Sequence, residues 1–355
     1  MDTKYIIVDG AAGEGGGQLL RASLALSMAL GRPFRMVNIR SKRSRPGLKR
    51  QHLTCLQAAQ TICGAQVTGD SINSREITFV PGPVKPGKYR FDIGSGGSCT
   101  MVLQALVPPL LTASAPSRIT VTGGTHVPYS PPFEFFRDTL LPWLEKLGPR
   151  LTASMGRLGF MQFGGGSITV DIEPSPILEI LEVDECGAFI GAEGSIRVYN
   201  LHEGIAEREC AVLQAENFAD LGLCEESLHV EKRTRSVEGP GNAVVLTVHR
   251  ESGATICSGI GQRGIAAESV ARQAGGRAMA FLRAEVPAEK HLADQLLVPL
   301  ALAGGGSFLT EKPSLHTITC MELLPLFVNI KARAMQQNAK VWRITLEKGN
   351  SDDKR

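Results

Sequence analysis

The sequence predicts a mixed α/β (α+β) protein in which a βαβαββ unit occurs three times, with a smaller α/β domain inserted in the third copy. Three observations predict it: a glycine turn between strand and helix that occurs twice, a proline that precedes the second helix of both copies, and a separate helix and strand pattern breaking the last one. Gly10 and Gly94 open the two glycine turns, and Pro46 and Pro131 follow them at nearly the same spacing.

In order, YIIVDG (5–10) is strand-like and Gly17 to Leu30 carries apolar residues at helical spacing. RMVNIR (35–40) is the next strand. LKRQHLTCLQAAQTI (48–62) is a helix closed near Gly64, and REITFV (75–80) ends the unit. The second copy runs through strand KYRFDIG (88–94), the turn GSGGS, a helix to about Leu111, strand RITVTGG (118–124), helix FEFFRDTLLPWLEKLG (133–148) and strand ITVDIEP (168–174). The third begins at ILEILEV (177–183) and resumes with a helix from about Glu289 to Leu302 that ends at Gly304. Between them, strand SIRVYN, helix GIAERECAVLQAENFADLG, strands LHVEKRT and AVVLTVHR, and helix AAESVARQAGGRAMAFL form their own set. The expected division is therefore a repeat domain of residues 1–185 and 284–355 and an inserted domain of residues 186–283.

With 355 residues, 43% of them hydrophobic and 21% charged, the chain is long enough for two compact domains without covalent staples. Its eight cysteines are scattered, with no CxxC pair, which predicts reduced thiols in a cytosol-like, cytoplasmic compartment. The N-terminus lacks signal-peptide features, and no apolar run is long enough to span a bilayer, so no membrane partner is expected. The net charge of +3 hides an uneven distribution. No acidic residue occurs between Glu14 and Asp70, whereas Arg21, Arg32, Arg35, Arg40, Lys42, Arg43, Arg45, Lys49 and Arg50 all fall there. Most charge runs are solvated faces. Here RSKRSRPGLKRQ (40–51) puts guanidinium groups on a turn and on the first turns of a helix, without interleaved aromatic residues, which suits phosphate oxygens better than a duplex-long stripe.

The first glycine loop, GEGGGQ (13–18), joins strand to helix, where backbone N–H groups and the helix dipole favour phosphate. It is not a P-loop, because no Gly-Lys-Ser/Thr follows. Glu14 is placed to hold a divalent cation, and Arg21 lies one turn into the helix. A second pattern, Gly259, Gly261 and Gly264, has the GxGxxG form, but no acidic residue at a second strand follows it; a loop-to-helix turn explains it better than a dinucleotide site. In HLADQLLVPLALAGGGSFLTEKPSLHT (291–317), Asp294 and Gln295 lie on a helix ahead of a glycine turn, a short strand and His316, while His291 stands three residues before Asp294, at a spacing that allows the two to pair.

DGAAGEGGGQLLR, IRSKRSRPGLKRQHL, GSGGSCTMVLQ, LADQLLVPLALAGGGSF and PSLH together resemble the RNA 3'-terminal phosphate cyclases, from the first strand to about residue 347. The resemblance implies three βαβαββ units like the C-terminal domain of translation initiation factor 3, an architecture shared with enzymes of unrelated chemistry. It implies an ATP-dependent reaction: a histidine, here His316, takes AMP from ATP, AMP passes to an RNA 3'-phosphate, and the adjacent 2'-OH displaces it to leave a 2',3'-cyclic phosphate. A neutral imidazole suits that first step near pH 7.

By the same resemblance Glu14 is the ligand of Mg²⁺ or Mn²⁺. Arg21, Arg40, Arg43 and Gln51 hold the phosphate of an RNA carrying a 3'-terminal phosphate. Gln104, Pro131, His291, Asp294 and Gln295 form the ATP pocket. His291 stands where the family commonly has Tyr, Cys320 where Asn is common, and His126-Val127-Pro128-Tyr129 is an unusual loop. Two alternatives stay open: a non-catalytic cyclase-like branch acting in ribosome biogenesis, which lacks the histidine, and an adenylyltransferase acting on other polynucleotide ends. The sequence does not fix the oligomeric state; a homodimer is a possible arrangement.

Overall fold

The computed structural model describes residues 4–202, 204–235 and 239–349. The first unit comprises β1 (Ile6–Asp9), α1 (Gln18–Leu30), β2 (Phe34–Val37), α2 (Arg50–Cys63), β3 (Gln66–Thr68) and β4 (Ile77–Val80). The second comprises β5 (Lys88–Asp92), α3 (Cys99–Leu110), β6 (Ser117–Gly123), a π-helical turn (Phe135–Leu140) running into α4 (Leu141–Glu145), β7 (Arg150–Arg157) and β8 (Gly166–Glu173). The third starts at β9 (Leu181–Val183). Then come β10 (Phe189–Tyr199), α5 (Gly204–Leu213), a 3-10 turn (Glu216–Leu221), β11 (Leu228–Arg233), β12 (Gly241–Arg250), β13 (Gly253–Ile260) and α6 (Ala267–Ala284). The third unit then resumes with α7 (Lys290–Ala303), β14 (Gly306–Thr310), α8 (Leu315–Phe327), β15 (Ile330–Gln336) and β16 (Trp342–Lys348).

The repeat is visible in the strand order. Sheets β1-β2-β4-β3, β5-β6-β8-β7 and β9-β14-β16-β15 share one topology, each with one parallel pair followed by two antiparallel pairs. The fourth sheet, β11-β10-β12-β13, has a different order and packs α5 and α6 through its own apolar cluster around Val244, Leu246, Ala274 and Phe281. Four strands lie where the sequence reading places none: β3 and β7, which are short or largely exposed and polar, and β15 and β16 at the end of the third unit. β13, a full eight-residue strand, runs into the GxGxxG pattern. Gly259 within it lies under α6, where an added Cβ would fall 2.1 Å from the Val270 carbonyl oxygen, so helix-on-strand packing accounts for that glycine.

Helix α1 organises the core. It ends at Gly31, whose left-handed φ of 65° closes the helix, and it is buried from Gln18 through Met28. It touches α2 of its own unit, α3 of the second and both α7 and α8 of the third. Such burial suits Leu19, Leu20, Leu24 and Leu26, but it also carries two polar side chains, Gln18 and Arg21, inside at its N-terminal end. That end is where all three repeats meet.

Candidate active site

Because the helix starts converge there, so do their polar residues. α8 is capped by Ser314, whose hydroxyl accepts the Thr317 N–H at 3.1 Å, and His316 sits in its first turn. α7 is capped by Glu289, whose buried carboxylate accepts the N–H groups of His291 (2.7 Å) and Leu292 (3.3 Å). Asp294 and Gln295 lie one turn on. α3 contributes Gln104, and the loop before the π-helical turn contributes Pro131, whose carbonyl accepts the Thr100 hydroxyl at 2.7 Å.

A cavity of about 230 Å³ is lined by Arg21, Gln104, Pro131, His291, Asp294, Gln295 and His316. The structure thus gathers every predicted ATP-pocket residue around the predicted nucleophile, with Arg21 among them. A recess of about 50 Å³ continues behind it against Gln18, Arg21, Gln104, Asp294 and Cys320.

His316 Nδ1 is 2.8 Å from the Gln18 Oε1, and Gln18 Nε2 donates to Asp294 Oδ2 at 3.1 Å. Burial, with the positive charges of Arg21, His291 and Arg43, lowers the His316 pKa below its ordinary value, so the ring is neutral at pH 7. Burial first, with Glu289 adding, pushes the Asp294 carboxyl up to about 7, although His291 and Arg21 oppose the shift. His291 does not pair with Asp294 as its spacing suggests: its Nδ1 turns back to Glu289 Oε1 at 2.5 Å, since the capping carboxylate is closer than the next turn.

Arg21 is 8% exposed and its Nε donates to Gln104 Oε1 at 3.2 Å. Among the described residues no carboxylate pairs with it, and burial depresses its pKa. Gln295 donates through Nε2 to the His291 carbonyl at 3.0 Å, which leaves its Oε1 buried with no partner among the described residues. Among the described residues the cavity wall therefore presents Arg21 as a buried cation without a carboxylate partner and Gln295 Oε1 as an acceptor without a donor.

The remaining predicted residues sit at the rim or behind it. Glu14 pairs with Arg43 and lies 3.8 Å from His316 Nδ1, and its backbone N–H donates to the Thr319 hydroxyl at 3.2 Å. Gly13 has to be glycine here: its φ is 51° and a Cβ would strike the Thr319 side chain. Arg40, at a φ of 53°, donates to the carbonyls of Arg45 (2.8 Å) and Gly47 (2.9 Å), so it braces its own loop. Gln51 Oε1 accepts the Ser98 N–H at 2.8 Å and ties the first unit to the second glycine turn. Beside them His52 is held neutral, its pKa pushed down to about 3 by burial and by Arg21, Arg40 and Lys49.

Sequence reasoning missed five contributors. Gln18 lies inside the GEGGGQLLR motif, where its neighbours drew the attention. Arg277, Gln262 and Gln273 come from the inserted segment and line the cavity from the opposite side; no motif marks them. Tyr129, at a φ of 61° and 89% exposed, stands at the same rim.

For a divalent cation, Glu14 is the rim carboxylate, and no group of three or more His, Cys, Asp or Glu side chains that would hold a metal occurs among the described residues. One carboxylate completed by substrate phosphate oxygens and water is an ordinary Mg²⁺ donor set, and Glu14 fits it.

The family description "RNA 3'-terminal phosphate cyclase" matches residues 12–334. A protein of that name from Koribacter versatilis (strain Ellin345) is 44% identical over 325 residues, covering 92% of this chain and 90% of the relative. Another of that name from Ectopseudomonas mendocina (strain ymp) is 40% identical over 350 residues, covering 98% of this chain and all of the relative. The chain belongs to the RNA 3'-terminal phosphate cyclase family.

Proposed function

We propose that the protein converts an RNA 3'-terminal phosphate to a 2',3'-cyclic phosphate at the expense of ATP, through AMP bonded to His316. The observation that carries this reading is the buried Arg21 guanidinium, without a carboxylate partner, in one cavity with a neutral histidine. One hydrogen bond to Gln104 and the field of Asp294, which makes no ion pair with it among the described residues, leave much of the cost of burying that cation unmet. A phosphate would meet it.

In the first step Nε2 of His316, the ring nitrogen not engaged by Gln18, attacks the ATP α-phosphorus; the bond to the bridging oxygen breaks and pyrophosphate leaves. The unpaired Gln295 Oε1 suits an amino group of the base, and Pro131 offers an apolar face beside it. In the second, an oxygen of the RNA 3'-phosphate attacks the same phosphorus, the P–N bond breaks and the imidazole returns neutral. In the third, the RNA 2'-OH attacks its own 3'-phosphorus, AMP departs, and the hydroxyl proton passes to solvent. That last step needs orientation more than chemistry, because attacking and accepting atoms are neighbours.

Glu14 would hold a divalent cation, which when bound supplies neutralising charge to the phosphate oxygens. Arg43, Arg40 and Gln51 form the basic approach on the first unit for the RNA end. We likewise propose that residues 1–185 with 284–355 form the catalytic domain and 186–283 an inserted domain that closes the nucleotide cavity; the separate apolar cluster of the insert supports this division. A 3'-phosphorylated oligonucleotide incubated with protein and ATP should acquire an end that resists phosphatase. An end that stays sensitive under conditions where ATP is consumed would refute the assignment.

A further inference from the structure

The cyclase reading needs a lone pair on one particular nitrogen of His316, yet a neutral imidazole can carry its proton on either. Whichever nitrogen bears the proton is fixed by what the other groups around the ring accept or donate. Nδ1 faces the Gln18 side-chain amide, and an amide can present either its carbonyl or its NH₂. Alone, therefore, Gln18 would leave the question open. Its second contact decides it: Asp294 Oδ2 lies 3.1 Å from the Gln18 amide nitrogen, and once ionised, above its pKa of about 7, that carboxylate can only accept. In that state the NH₂ points to Asp294, the carbonyl points to His316, and Nδ1 carries the proton.

We propose that Gln18, oriented by Asp294, is a positioning residue that holds His316 in the tautomer with its lone pair on Nε2. The inference rests on the reading of His316 as nucleophile for its use, but not for its structure. Two further features favour it. Gln18 is 8% exposed, so water does not offer its amide easy alternatives. Arg21 and Arg43 disfavour a second proton on the ring.

The arrangement also simplifies the proton balance. When Nε2 bonds to phosphorus the ring becomes cationic with its proton still on Nδ1, where the Gln18 carbonyl accepts it; when the P–N bond breaks the ring returns to the same neutral tautomer. No proton crosses the site in either transfer. The relay spans residues 18, 294 and 316, so one helix start from the first repeat and two helices of the third have to meet for it to exist.

The test is nitrogen NMR of the full chain labelled with ¹⁵N-histidine, at a pH above the titration of both the ring and Asp294, with the His316 signals assigned by their loss in His316→Ala. Wild type should show an N–H nitrogen at Nδ1 and a bare nitrogen at Nε2. Gln18→Leu should move proton occupancy toward Nε2 and slow AMP labelling by about 10- to 100-fold, as loss of the partner that fixes the tautomer of a metal-ligating histidine does. Asp294→Asn, which frees the polarity of the amide, should give a mixture of tautomers even if Gln18→Leu fails to fold. A wild-type proton on Nε2 overturns the proposal. So does Gln18→Leu that labels slowly with the wild-type tautomer, since Gln18 would then act only as packing. If the tautomers behave as expected but His316→Ala still accepts AMP, the relay stands and the nucleophile assignment fails.

Discussion

Replacing Arg21 by methionine separates function from folding. The side chain is 8% exposed and makes one hydrogen bond, to Gln104, with no carboxylate partner among the described residues. Methionine removes that hydrogen bond, at a cost of about 1 kcal/mol, and also removes the penalty of keeping an ion out of water, which reaches several kcal/mol. The stability of Arg21→Met should therefore equal or exceed that of wild type. A contact between a guanidinium and a phosphate is worth about 1.5–3 kcal/mol, which corresponds to about 10- to 150-fold in rate or affinity. Unfolding in guanidinium chloride followed alongside RNA cyclisation gives both quantities on one preparation. Should Arg21→Met lose about 2 kcal/mol or more of stability and only as much activity as the unfolded fraction explains, Arg21 is a structural residue and the argument from its missing partner fails.

Other perturbations follow from the same geometry. Arg43→Ala should weaken capture of 3'-phosphorylated RNA by about 10-fold while leaving AMP labelling largely intact, because Arg43 lies at the rim beside Glu14 and does not line the nucleotide cavity; equal loss of both steps would move it to the ATP site. The pH profile of labelling should fall on the acid side with a midpoint near 7. Asp294 takes up a proton there and can then donate to the Gln18 carbonyl, releasing the amide orientation. Asp294→Asn should remove that limb, and an unchanged midpoint in the variant would assign it to another group. His52 should make the fold acid-sensitive: its folded pKa of about 3 lies below the unfolded 6.5, so the unfolded chain binds more protons in that window and stability drops as pH falls through it. His52→Gln should flatten the loss in acid denaturation curves, and an unaltered slope would place the acid sensitivity elsewhere.

The repeat was legible because its punctuation is chemical. Glycine turns and the prolines ahead of the second helices mark the units wherever side chains are ignored, and the long helices carry clean apolar periodicity. β3 and β7 escaped because three residues with one half-buried position, or eight with a mostly exposed pattern, give no alternation to read. α8 escaped too: it is apolar on nearly all sides, so it has no polar face to set its period. The site divides along the same line. His316, Asp294, Gln295 and Arg21 stand in motifs, whereas Arg277 and Gln262 reach the cavity only because the inserted segment folds over it.

His126 shows the limit most clearly. It stands in an unusual stretch of sequence, and the structure buries it completely against Glu134 Oε2 at 2.9 Å, with Arg197 of β10 2.7 Å from the other carboxylate oxygen. The triad fastens the second repeat to the inserted segment. Its members are spread over three elements, and no local pattern joins them.

The central claim is a covalent bond between one imidazole and one phosphorus. Protein incubated with ATP and Mg²⁺, then digested and analysed by mass spectrometry, should yield a single peptide heavier by AMP, modified at His316, stable in alkali and released in acid as a P–N bond is. An adduct on another residue, or one that persists in the His316→Ala protein, would contradict the account.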